Sequence, residues 1–99
     1  MLFQLGHVVA TPTVMAEVEE HTGISLQRLA PGILARHVSG DWGEVDSHDK
    51  RVNDAAVKNG TRILSAYDFP GFQTDDEIRV WVITEADRSS TTILLPSDY

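Results

Sequence analysis

The chain has 99 residues, of which 41% are hydrophobic, and its 15 acidic side chains outnumber 8 basic ones. This length and apolar content predict a single domain over residues 1–99. The net charge of -7 opposes attraction to phosphate backbones and anionic membranes, so nucleic-acid binding is disfavoured. Because there is no cysteine, disulfides, thiolate zinc sites, iron–sulfur clusters and thiol catalysis are excluded.

Neither a membrane segment nor a cofactor motif is found in the sequence. No apolar run approaches the roughly 20 residues that span a bilayer. The first residues also lack the basic and apolar regions of a secretion signal, so we expect a cytoplasmic protein. No phosphate-cradling glycine loop, dinucleotide fingerprint or serine-hydrolase elbow is present, and no cofactor is expected.

The first quarter of the chain predicts a strand followed by a helix. Residues 2–10 alternate in polarity, which is typical of a strand. Thr11 and Pro12 favour a helix start, because the hydroxyl caps the first turn and proline lacks an N–H that would be unpaired there. Gly23 is placed to end this helix.

Two further helices are predicted in the middle of the chain. Ser25 caps a segment that runs to Val38, and Pro31 is expected to kink or divide it. Asp46 then caps a helix over about residues 47–59, and Gly60 ends that helix.

The last third of the chain predicts three consecutive antiparallel strands over residues 62–69, 78–85 and 90–95. The middle strand is apolar on both faces, which indicates a central position in the sheet. The predicted order is therefore β-α-α-α-β-β-β, an α+β fold in which helices pack on one face of a small antiparallel sheet.

Residues 36–43 form the first candidate site, at the end of the second helix. Arg36 could position a phosphate, and His37 could act as a general acid or base near neutral pH. Alternatively, these two side chains satisfy carbonyl groups at the helix end and Trp42 fills the edge of the core.

The hairpin over residues 84–92 is the second candidate, because it combines hydroxyls, two acids and an arginine. Arg88 could bind a carboxylate or phosphate in bidentate fashion, with Ser89 or Thr91 donating hydrogen bonds. Alternatively, Asp87 and Ser89 only form the turn, and Glu85 pairs with Arg88 at the surface.

A metal site is not expected. The residue types that bind divalent ions do occur close together in the middle of the chain, but their spacing matches no known metal motif, and helix capping explains two of the aspartates. These residues are His37, Asp41, Asp46, His48 and Asp49.

Aromatic side chains near loops and strand ends favour recognition of another protein. Together with the acidic charge, they suit docking onto a basic protein surface. Alternatively, they complete the core of a small domain. These aromatic residues are Trp42, Tyr67, Phe69, Phe72 and Tyr99.

Most of the chain from residue 35 onward resembles a family of short, uncharacterised bacterial proteins carried on plasmids, phages and other mobile elements. The resemblance is carried by residues 35–37, 40–43, 53–60, 62–67, 81–89 and 92–96 and by Tyr99. It implies a genetic context and supplies no catalytic residues. The connection over residues 70–77 is longer than the short turn of the family pattern.

A second resemblance is to the small RNases that include RelE, colicin D and barnase-like toxins. It implies that phosphate-binding and acid/base roles would fall to Arg36, His37, Arg88 and Thr91. Such enzymes tend to be basic, whereas this chain is acidic.

Our leading hypothesis is a non-enzymatic interaction protein of a mobile element that binds a host or plasmid protein and modulates a host defence system. Its expected contact residues are Asp41, Trp42, Asp87 and Arg88. A metal-independent RNase is the alternative. Regulatory DNA binding through residues 47–59 is less favoured because the charges there are mixed. Pairing of an edge strand across a homodimer stays open.

Overall fold

The computed structural model describes residues 1–99 and confirms an α+β fold with the predicted element order. Three helices precede a three-stranded meander, and a short 3-10 turn, Pro96–Asp98, ends the chain. The elements are β1 (His7–Ala10), α1 (Pro12–Thr22), α2 (Leu26–Val38), α3 (Ser47–Asn59), β2 (Ile63–Pro70), β3 (Glu77–Thr84) and β4 (Ser90–Leu94).

All three predicted helix caps are confirmed. The side chains of Thr11, Ser25 and Asp46 each accept a hydrogen bond from a backbone N–H three residues further on. Gly23 and Gly60 end α1 and α3 in the left-handed conformation. These helix limits follow from local chemistry, because each cap satisfies a backbone group of its own helix.

Pro31 does not divide the second helix. The helix runs without interruption from Leu26 to Val38. Proline removes one N–H, whose acceptor in a regular helix would be the carbonyl of Gln27. Both Pro31 and Gln27 are exposed, so this carbonyl can bind water instead. The expectation of a divided helix was therefore wrong.

The sheet has the strand order β1-β4-β3-β2. As predicted, the pairs β2–β3 and β3–β4 are antiparallel, and β3 is central. β1 joins β4 as a parallel strand, which the sequence did not indicate. The three helices carry the chain from β1 to the far edge of the sheet, and the meander then returns β4 beside β1 in the same direction.

The first strand is shorter than predicted, because it starts at His7 and not at Leu2. Gly6 has a positive φ of 64°, and a side chain there would overlap the carbonyl of Ser89. Before this turn, Phe3 lies buried against the end of α2. The residues before Gly6 therefore lie outside the sheet, and Phe3 packs in the interior.

The interior contains two apolar clusters. The larger one joins α1 and α2 to one face of the sheet, through residues such as Val18, Ile33 and Val80. The smaller one consists of Phe3, Trp42, Ala56 and Ile63, and it joins the N-terminal segment to α3 and β2. No helix in the structure is long and apolar enough to cross a bilayer.

Candidate functional site

A chain of polar side chains runs through the interior between the end of α2 and the sheet. His37 Nδ1 lies 2.6 Å from Ser65 Oγ, and Nε2 lies 2.9 Å from Thr84 Oγ1. Thr84 Oγ1 is 2.7 Å from Thr91 Oγ1, which donates to the carbonyl of Leu5 at 2.8 Å. We call these five groups the polar chain. It links β2, β3, β4 and the N-terminal segment.

The hydrogen bond from Thr91 to the carbonyl of Leu5 determines which group is the donor in every other hydrogen bond of the polar chain. Because the hydroxyl proton of Thr91 goes to a carbonyl, Thr84 must donate its own proton to Thr91. The oxygen of Thr84 then accepts from Nε2–H of His37, and Nδ1 accepts from the hydroxyl of Ser65. Both ring nitrogens of His37 are therefore occupied, and no lone pair is left to accept a substrate proton.

Burial, and to a smaller extent the nearby charge of Arg88, together lower the pKa of His37 from 6.5 to about 4. The imidazole is fully buried. The rings of Phe3 and Trp42 lie at centroid distances of 5.1 Å and 6.0 Å from it. His37 is thus a neutral residue enclosed by aromatic rings, and a substrate cannot reach it in this conformation.

Arg88 is held in place by backbone carbonyl groups. Nη1 donates to Thr61 at 2.7 Å and to Glu85 at 3.0 Å, and Nη2 donates to Ala56 at 2.9 Å. The guanidinium also lies 5.5 Å from the ring centroid of Phe3. Arg88 therefore fastens the β3–β4 turn to the end of α3, and its main donors are already used within the fold.

Trp42 lies in the core, with only 4% of its surface exposed, as the structural alternative held. Its Nε1–H donates to Asp54 on α3 at 2.9 Å. Next to it, Asp41 is exposed and forms a bidentate pair with Arg36, at 2.6 Å and 3.2 Å. That pair holds the pKa of Asp41 below its usual range. The carboxylate of Asp41 therefore faces solvent, whereas the indole of Trp42 does not.

The remaining sequence-predicted residues lie apart from one another. Asp87 is exposed, and its carboxylate accepts from the backbone N–H of Ser89. Thr91 is fully buried in the polar chain, whereas Arg36 lies over the ring of Tyr67 at the surface. Of the four residues that the RNase resemblance implies, His37 and Thr91 are joined through Thr84 in the interior and the half-buried Arg88 lies near His37, whereas Arg36 lies apart from them.

No group of three or more histidine, aspartate or glutamate residues could hold a metal ion. Asp46 accepts a hydrogen bond from the backbone N–H of Asp49, which is the capping role that the sequence predicted.

An apolar groove beside β1 was not predicted from the sequence. Its volume is about 130 Å³, and all but one of its lining residues are hydrophobic. Val8 and Val9 on β1 are 43% and 51% exposed, and Met15 on α1 is also exposed. We call this feature the β1 groove, and it is lined by Val8, Val9, Ala10, Met15, Leu26, Gln27, Ala30 and Ile93.

A second depression, lined in part by two glutamates, adjoins the β1 groove. The two glutamates are Glu19 and Glu20, and the depression shares Met15 and Gln27 with the groove. In the sequence, only Val8 and Val9 pointed to this groove. The alternation of polarity over residues 2–10 predicts them to be ordinary strand residues. They are exposed because no further strand lies beyond β1.

No protein-family model matches the chain, and neither a curated protein nor a solved structure matches it. The resemblances stated above therefore stay predictions, and a proposal about function depends on the geometry and charge of the chain itself.

Proposed function

We propose that this chain is a non-enzymatic, cytoplasmic interaction protein of a mobile genetic element that binds a basic protein of the host or of the element and modulates a host defence system. The observation that supports it best is the exposed β1 groove with Glu19 and Glu20 beside it. An apolar surface that is bordered by charge is typical of a protein-binding site.

The state of His37 also supports an interaction role. A general acid or base must reach a substrate within hydrogen-bonding distance and titrate near the working pH. His37 has no exposed surface, both its nitrogens are bonded within the fold, and its pKa is about 4. The acidic net charge further favours a basic protein over a nucleic acid.

The four contact residues predicted from the sequence cannot all be tested by substitution in the same way. Asp41 and Asp87 are exposed and can contact a partner without refolding. Trp42 and Arg88 hold parts of the fold together, so their replacement would destabilise the protein whether or not they bind anything. Binding losses are therefore informative only for the two acids, singly or together.

The proposal is tested by affinity purification of the tagged chain from a bacterial host, with mass spectrometry and a growth curve of the same cells. We expect a basic partner in stoichiometric amount and normal growth. Arrested growth with degraded RNA, relieved by a His37→Gln variant that keeps the thermal unfolding of the parent chain, would instead support the RNase alternative. Absence of any stoichiometric partner in several hosts would contradict the interaction role.

A further inference from the structure

We propose that the open edge of β1 binds an extended segment of a basic partner protein as an additional strand, with an apolar side chain of that segment in the β1 groove. This inference rests on the proposed function and specifies how the partner is recognised.

The backbone of β1 has unused hydrogen-bonding groups on its outer side. His7 N–H donates to Ser89, and Thr11 N–H donates to Ile93, so these groups face β4. Donors alternate in direction along a parallel strand, and the N–H groups of Val8 and Ala10 therefore face away from β4. No other segment pairs with this side of β1. A bound strand would satisfy these groups.

The usual protections of an edge strand are missing at β1. Natural edges commonly carry lysine, proline or an inward-facing charge, or are covered by another segment. Residues 7–10 contain none of these residues, and only the shortness of the strand limits pairing. At the opposite edge of the sheet, other parts of the chain pair with Leu64 and Ala66 of β2, and the rest of that strand contains Asp68 and Pro70, a charge and a proline. The open edge is therefore particular to β1.

The β1 groove determines which side chains a bound strand can have. Side chains alternate between the two faces of a sheet, so every second residue of the bound segment would point toward the helices. There it would meet Met15, Leu26 and Ala30, which are apolar. The groove volume of about 130 Å³ suits one aliphatic side chain. The segment should therefore alternate, with an aliphatic residue on the groove side.

Charge selects a basic segment rather than a second copy of this chain. Glu19 and Glu20 line the depression that adjoins the groove, and a lysine or arginine beside the aliphatic residue would pair with them. A second copy would bring the same carboxylates and a further net charge of -7 to the interface. The bound segment therefore combines alternating aliphatic residues with at least one flanking cation.

The test selects binders from a displayed library of random short peptides on the intact chain, and then titrates the isotope-labelled chain with an enriched peptide. We expect alternating aliphatic and basic sequences, with NMR shift changes in β1, Met15 and Ala30. N-methylation of the peptide amides that pair with β1 should weaken binding about tenfold without changing the protein. Failure to enrich any peptide, or shift changes elsewhere, would overturn the proposal.

Protein variants separate the contributions of backbone, groove and charge. Val8→Pro removes one outward N–H from an edge strand, where proline is tolerated, and should weaken binding about tenfold, clearly more than Val8→Ala, which changes the groove lining but keeps the N–H. Ala30→Glu should also weaken binding about tenfold, because it places a charged side chain in the apolar groove. Glu19→Lys with Glu20→Lys should weaken binding about fivefold, whereas the same charge change at Glu44 and Asp49 should have little effect. Equal losses for the two charge pairs would overturn the assigned surface.

Two results separate this inference from the proposed function. If affinity purification captures a basic partner, but Val8→Pro and Ala30→Glu retain it in full, the inference fails and the interaction role stands. Should sedimentation instead show a dimer that Val8→Pro dissociates, a second copy occupies the edge and the inference also fails. The folded state of each variant is checked by its thermal unfolding.

Discussion

The two edge strands of the sheet differ in whether other parts of the chain pair with their outer side. At the β2 edge, the amide of Asn53 forms two hydrogen bonds with the backbone of Leu64, at 2.7 Å and 3.2 Å. The backbone of Trp42 and Glu44 pairs with Ala66 on the same side. At the β1 edge, no backbone group outside the sheet bonds to the outward N–H groups of Val8 and Ala10.

This difference shows that one domain can close one strand edge with its own residues and leave the other available. An unpaired edge is a template for any other strand, so closing β2 restricts pairing to β1. The polar chain links the two regions, because it runs from Ser65 on β2 to Leu5 just before β1. Substitutions at each edge, and a change of pH that acts on the polar chain between them, should therefore affect stability to different degrees.

Gly43→Ala should have the largest effect, because it breaks the closure of the β2 edge. Gly43 has a φ of 72°, and a methyl group there would overlap the carbonyl of Ala66. We expect the free energy of unfolding to fall by about 3 kcal/mol or more. Gly60→Ala is the matched control, because Gly60 has a φ of 70° and open space around it. It should cost about 1 kcal/mol in urea unfolding, and equal losses would refute the steric argument.

Lowering the pH should reduce the free energy of unfolding, because it acts on His37 in the polar chain that links the two edges. The pKa of His37 is about 4 in the folded protein and 6.5 in the reference state. Between these values the unfolded chain binds a proton that the folded chain does not, so stability falls as the pH is lowered. The expected loss is about 3 kcal/mol from pH 6.5 to pH 4, and it stops below pH 4.

Urea unfolding at a series of pH values measures this loss. His37→Gln should remove most of the slope between pH 6.5 and pH 4, whereas His48→Gln, at an exposed position on α3, should retain it. Below pH 4 a further loss is expected from Asp41 and Asp68, whose arginine partners lower their pKa values. An unchanged slope in His37→Gln would show that the histidine is not buried in the neutral form.

Asn53→Ala should destabilise the β2 edge by about 2 kcal/mol, because it removes two hydrogen bonds to Leu64 and leaves those backbone groups unpaired. Arg51→Ala, at an exposed position on the same helix, is the matched control and should be nearly neutral. Hydrogen exchange at Leu64 should accelerate only in the first variant. Protection of Leu64 in both proteins would mean that another group closes this edge.

Val9→Lys should have the smallest effect, because half of the Val9 surface is already exposed and no segment lies beyond β1. We expect a change of less than about 0.5 kcal/mol in the free energy of unfolding. A loss as large as that of Asn53→Ala would show that β1 is not a free edge.

The helices and the meander were predictable because their signals are local. Thr11, Ser25 and Asp46 each cap a helix through a residue three positions further on. Of the two outcomes predicted for Pro31, the division of α2 does not occur. The cost of a proline depends on whether water can reach the carbonyl that lacks a donor, and the sequence does not show which side of a helix faces solvent.

The candidate site was less predictable than the fold. His37 has the residue type of a catalytic group, but its partners Ser65 and Thr84 lie 28 and 47 residues away. Trp42 could equally have been an exposed anchor, and its burial depends on Phe3 and α3. The β1 groove became visible only when the strand order was known.

Element order, helix limits, acidic charge and the exclusion of cysteine chemistry could be read from the amino-acid sequence, because these depend on composition or on residues a few positions apart. The parallel pairing of β1, the enclosure of His37 and the difference between the two sheet edges are visible only in the folded chain. These features depend on burial and pairing between distant residues, which spacing along the chain does not encode.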